Sequence, residues 1–180
     1  MTTSLQVLSY LKAVMPEINN TQAMKLLYYS QAWSLTWTGR RAFSDPVIAW
    51  QFGPAIMRAH NTFLRVRARS YCLDQTPEVK ATVDSVLRYY GHMSASELRD
   101  LSHSESPWKN AYNAADGGHE ARNAISEKDM KREYTMQAMN GLGPTKPRSE
   151  DAVVGRSKFE AILDKVRAED REALDILATR

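Results

Sequence analysis

One cysteine, four histidines and no long apolar run set the first limits on this 180-residue chain. Cys72 alone closes no internal disulfide and builds no zinc site by itself, which fits a reducing compartment. No apolar stretch approaches the ~20 residues that a membrane span needs, and no charged-then-apolar run at the N-terminus resembles a signal peptide. The expectation is a cytoplasmic protein with no membrane association and no cofactor. Net charge is +3 with a pI of about 9.0, too shallow a balance to imply nucleic acid by itself. Hydrophobic content of 43% and charged content of 25% belong to a globular chain with one real core. The length suits one domain plus an appendage, and there are no internal repeats.

The charge that is present is unevenly placed. Residues 148–180 carry 7 Lys+Arg against 8 Asp+Glu, leaving 17 against 13 for the rest. Arg58, Arg65, Arg67 and Arg69 fall in one stretch without an acid. That stretch reads either as a solvated helix end and loop, or as a docking surface for an acidic partner or a nucleic-acid backbone.

Lys25–Pro54 is rich where the chain is otherwise ordinary. It holds Trp33, Trp37 and Trp50, three of the four tryptophans, and a single acid, Asp45. Packing residues without reactive groups point to a scaffold that binds rather than to a catalytic centre. Asn20 or Thr21 starts a helix running to Thr38, apolar on most sides and therefore central to its fold. Gly39 is its left-handed stop, with Arg40 and Arg41 beside the negative helix end. Val47–Phe52 reads as a strand, broken by Gly53-Pro54. Pro54 then suits the first position of a helix over 54–64.

Elsewhere, Ser4 is the expected cap of a helix over Leu5–Val14, ended by Pro16. Residues 65–75 read as loop, with a short strand near Ser70–Leu73. Thr76-Pro77 opens a helix to Tyr90, stopped by Gly91. Ser94 and Glu97 form a capping box for a helix over 95–102. Ser106-Pro107 starts another, through Ala115, ended by Asp116-Gly117-Gly118. Asn123–Ile125 reads as a short strand, and Ser126 caps a last helix to Met139. Gly and Pro over 140–149 predict a linker. Beyond it, Phe159, Ile162, Leu163, Val166, Leu174 and Leu177 stripe an amphipathic helix over about 158–178, too narrow to fold alone. It must dock on its own domain, on a twin subunit or on another protein. The fold class is mainly α: a bundle of about seven short helices with a small β element. Its divisions are a domain over 1–140, a linker over 141–157 and a C-terminal helix over 158–180.

His60, His92, His103 and His119 include no pair at helical metal-site spacing. His103 and Glu105 form the one close His/carboxylate pair, at a helix junction that explains both structurally. Cys72 reads as a small buried hydrophobe. Among the tryptophans, Trp37 beside Arg40 and Arg41 is the one placed to contact a partner.

Met24–Trp33 (MKLLYYSQAW, with Tyr28), Thr38-Gly39, Phe43 and Ile48–Pro54 (IAWQFGP, with Trp50 and Gly53), followed by Leu101-Ser102-His103 and Ser106-Pro107-Trp108, occur in an order and spacing that resemble the Panacea antitoxin domain, the SocA-like or GepA-like family. The resemblance covers roughly residues 4–139; Ser102 departs from the family's usual Thr but keeps the hydroxyl. It implies a mostly helical domain and an antitoxin, not an enzyme, that holds a cognate protein toxin inactive by direct contact. It also admits the role of one relative, an adaptor delivering its toxin to the ClpXP protease. On this reading the 158–178 helix docks in a toxin groove while the basic stretch complements an acidic toxin. The competing reading is a DNA-binding autoregulator using the short helices over 94–115, although Pro107 and Trp108 suit packing better than a recognition helix.

Overall fold

The computed structural model describes residues 2–113 and 123–148. The chain divides into two units, Met1–Pro147 and Arg148–Arg180. The expected helix over 158–178, the Asp116-Gly117-Gly118 stop, Ala115 and His119 lie outside the described residues.

Seven α-helices and a two-stranded antiparallel sheet make up the described part, as the mainly-α expectation required. Helix α1 spans Ser4–Val14. Its cap is Thr3 rather than Ser4: the Thr3 side chain accepts from the Gln6 amide and Gln6 returns a bond to the Thr3 amide. Ser4 sits inside the first turn, where its amide, left without an intrahelical partner, donates to Asp45 Oδ2 at 2.8 Å.

Helix α2, Asn20–Thr38, is capped by Asn19 and ended by Gly39 at φ 70°, a left-handed conformation that costs glycine nothing. Every residue from Ala23 to Leu35 is buried. Such a helix has no solvent face and must be surrounded. Helices α1, α3 (Met57–Thr62), α4 (Pro77–Tyr90), α5 (Ala95–Ser104) and α7 (Glu127–Met139) all pack on it. An aromatic layer fills the contact of α2 with α4 and α7. Tyr29 stacks on Tyr90 at 4.1 Å, and Tyr134 meets Tyr28, Tyr29 and Trp33 edge-on. The Trp33 indole N–H donates to the Tyr90 hydroxyl at 3.2 Å, satisfying a donor that burial would otherwise strand.

The sheet corrects the expected strand over Val47–Phe52. Strand β1 is Ile48–Trp50, Gln51 and Phe52 form the turn, and β2 is Gly53–Ala55. Gly53-Pro54 therefore continues the sheet instead of breaking it, and α3 starts at Met57, not at Pro54. Proline is tolerated because Ala49 and Pro54 face each other at a position where neither bonds the other strand. The Ala49 amide turns outward to Asn123 O (2.8 Å), and the Pro54 carbonyl also points away. The short strand expected at Asn123–Ile125 reduces to an antiparallel bridge between Ala124 and Ile48.

Ser70–Leu73 is a turn of 3-10 helix, not a strand. The capping box of Ser94 and Glu97 forms as its sequence spacing requires. Helix α6, Ser106–Asn113, follows after a one-residue junction at Glu105. The described part of the expected linker lies on the first unit: Pro144 is buried and Ser85 donates to the Thr145 carbonyl. No helix among the described residues is long and apolar enough to cross a membrane.

Candidate functional site

Three separated sequence motifs converge beneath β2. Lys25, from the buried face of α2, donates through Nζ to the Pro54 carbonyl at 2.9 Å. Gly53 has φ +92°, and a Cβ built there would lie 2.8 Å from Lys25 Nζ and 3.0 Å from His103 Nε2. Both the backbone sign and the space therefore require glycine. His103 stacks flat on Trp108 at 3.9 Å, and Trp108 on Tyr112 at 4.6 Å. The Trp108 N–H returns to the Trp50 carbonyl at 3.0 Å, so the ring stack of α5 and α6 is tied to β1. Trp50 also meets the His60 ring edge-on. Pro107 is buried at the start of α6.

Lys25 is only 2% exposed. Burial, followed by the charge of Arg99, lowers its pKa to about 7. Burial, then the Lys25 charge, also lowers that of His103. His103 Nε2 is buried and makes no hydrogen bond among the described residues. The centre thus holds two bases that neighbouring charge and desolvation both keep toward neutrality. No local motif marks Lys25; its sequence signal is that it is the one charged residue in α2.

The sequence pair His103 and Glu105 does not act as a pair. His103 turns to Lys25 and Trp108, whereas Glu105 turns to α7. Tyr134 donates to Glu105 Oε2 at 2.6 Å, Tyr29 more weakly at 3.4 Å, and Gln137 to Oε1 at 3.2 Å. Gln137 also bonds Glu133, which accepts from Ser106. Burial raises the Glu105 pKa to about 7, against the opposing bonds from Tyr134 and Gln137. This network locks the α5–α6 junction onto α2 and α7. Among the described residues, no group of three or more His, Cys, Asp or Glu is placed to hold a metal ion.

The predicted contact residues fall in separate places. Trp37 is half-buried, 5.2 Å from Trp33, and belongs partly to the core. Arg40 is exposed, and its backbone closes the turn after α2 through Ser34 and Thr38. Arg41 pairs with Glu127 at the start of α7. Arg58 pairs with Asp45 at 3.4 Å. Arg65, Arg67 and Arg69 are exposed on the segment between α3 and the 3-10 turn. That segment rests on α1, where Ser9 also accepts from the Cys72 thiol. Phe159, Ile162, Leu163, Val166 and Leu174 lie outside the described residues.

Neither the curated proteins nor the solved structures gave a match to this chain. Residues 24–109 match the family model described as Antitoxin SocA-like, Panacea domain. Lys25, Gly53, Pro54, His103 and Trp108 all lie within the segment that matches this SocA-like Panacea domain model.

Proposed function

We propose that this chain is the antitoxin of a toxin–antitoxin pair and neutralises its cognate toxin by direct protein–protein contact in the cytoplasm. The observation that carries the reading is the family match over residues 24–109. The architecture supports it. A central helix buried from Ala23 to Leu35, an aromatic layer and a locked helix junction make a platform that would lose little conformational entropy on binding. Masking a toxin's active surface needs such a platform and needs no reaction. The amphipathic stripe of residues 158–178 supplies a second contact in this proposal, laid into a groove of the toxin.

The test is co-expression with the growth-arresting product of an adjacent reading frame. Neutralisation by contact predicts restored growth and a stable complex on co-purification. Restored growth with disappearance of the toxin would instead indicate delivery to a protease such as ClpXP. Restored growth by a chain ending at Pro147 would remove the tail from the mechanism.

A further inference from the structure

We infer that Leu64–Tyr71 is the surface on which this chain holds its partner, and that the partner is a toxin presenting an acidic face around an apolar spot. The inference rests on the antitoxin reading and names the chemistry of its partner.

The segment has little regular structure of its own, yet its backbone is fixed. Lys12 Nζ donates to the carbonyls of Phe63 (3.0 Å) and Val66 (2.8 Å), and lies over the Phe63 ring. Ser9 Oγ donates to the Arg67 carbonyl at 2.6 Å, and the Ser9 carbonyl accepts from the Arg69 amide at 3.1 Å. Ser9 and Lys12 are three apart and share one face of α1. A single helix face thus pins the segment at three points and the residue before it at a fourth, with Val66 packed against the core.

The side chains on this fixed backbone are left outward. Leu64 is 92% exposed and Tyr71 62% exposed. Arg65, Arg67 and Arg69 have no ion-pair partner among the described residues, whereas Arg41, Arg58, Arg99 and Arg132 each have one. Three guanidinium groups at alternate positions of one segment concentrate positive charge that an acidic surface would offset, and their planar forks bind carboxylates in two-point fashion. Arg and Tyr are the residue types that dominate protein interfaces. Pre-set backbone geometry removes part of the ordering cost of binding.

Leu64 decides for a protein over nucleic acid, since a phosphodiester backbone offers nothing to an exposed leucine. The chain's own last 33 residues are a poor occupant, because 7 cationic and 8 acidic side chains there nearly cancel.

The experiment measures binding of full-length chain to the growth-arresting protein that it rescues. The R65E/R67E/R69E variant is expected to lose about a hundredfold in affinity, and Leu64→Ala and Tyr71→Ala about tenfold each. The remaining wild-type affinity is expected to fall as salt rises. An unchanged unfolding midpoint for the triple variant shows that the fold is intact. Lys12→Met, which keeps the stem and removes the backbone ties, is expected to weaken binding with all three arginines present. Wild-type affinity in the triple variant overturns this surface and leaves the antitoxin reading standing. Failure of wild-type chain to rescue or bind any such protein overturns both. Loss of a duplex-DNA shift with toxin binding intact, or tighter toxin binding after charge reversal, also overturns it, in favour of nucleic acid or the chain's own tail.

Discussion

Replacing Glu105 by Gln tests the buried network that locks α5, α6 and α7 onto α2. The carboxyl is 5% exposed, and its pKa is raised from 4.5 to about 7. Below the lower value it is protonated in both folded and unfolded chain and costs nothing. Between the two values the unfolded chain has released its proton while the folded chain keeps it. Stability therefore falls as pH rises through this window, and the loss is complete above about 7. Integrated between pH 5 and pH 8, this one group costs about 2.5 kcal/mol. Glutamine has nearly the same shape, still accepts from Tyr134 and Tyr29, and never ionises. The assay is urea unfolding at both pH values, followed by tryptophan fluorescence. The stability difference, variant minus wild type, is expected to be about 2.5 kcal/mol more favourable at pH 8 than at pH 5. Parallel pH profiles for the two proteins would refute the reasoning, because Glu105 would then titrate alike in both states.

Lys25 has the opposite sign. Its pKa is lowered from 10.5 to about 7, so wild-type stability falls as pH drops through that window; relative to wild type, Lys25→Met should gain about 2.5 kcal/mol between pH 9 and pH 6 by the same unfolding assay. Gly53→Ala places a methyl against Lys25 Nζ at a positive φ and should cost about 2 kcal/mol or more, read as a lowered urea midpoint. Gly143 also has a positive φ, and a Cβ there would overlap the Trp33 ring. Gly143→Ala should therefore loosen residues 141–147, read as faster amide hydrogen exchange in that segment, without abolishing the core.

Much of the helical framework was legible because its signals are local. Ser94 with Glu97, Ser126 and Gly39 act on backbone groups within four residues of themselves, so their chemistry predicts where helices begin and end. Apolar side chains on most sides of α2 likewise mark a central helix. Where two local signals competed, a distant group chose between them. Thr3, not Ser4, caps α1, and the Ser4 amide in the first turn is met by the distant Asp45. Gly53-Pro54, a local breaker, became a strand because β1 and Lys25 accept its geometry.

The candidate sites depended on separations that no local rule spans. Lys25 reaches Pro54 across 29 residues, Glu105 reaches Tyr134 across 29, and Ser9 reaches Arg67 across 58. Residue order showed that His103 and Glu105 were close in sequence, but only their packing directed one toward Lys25 and the other toward Tyr134. Residue order alone indicated a helical chain with a tryptophan-rich segment and a basic stretch, because hydrophobic periodicity and local charge are written in the sequence. Tertiary structure decided which charges are buried, which are paired and which face outward, because desolvation and Coulomb energy depend on neighbours that the chain brings together only by folding.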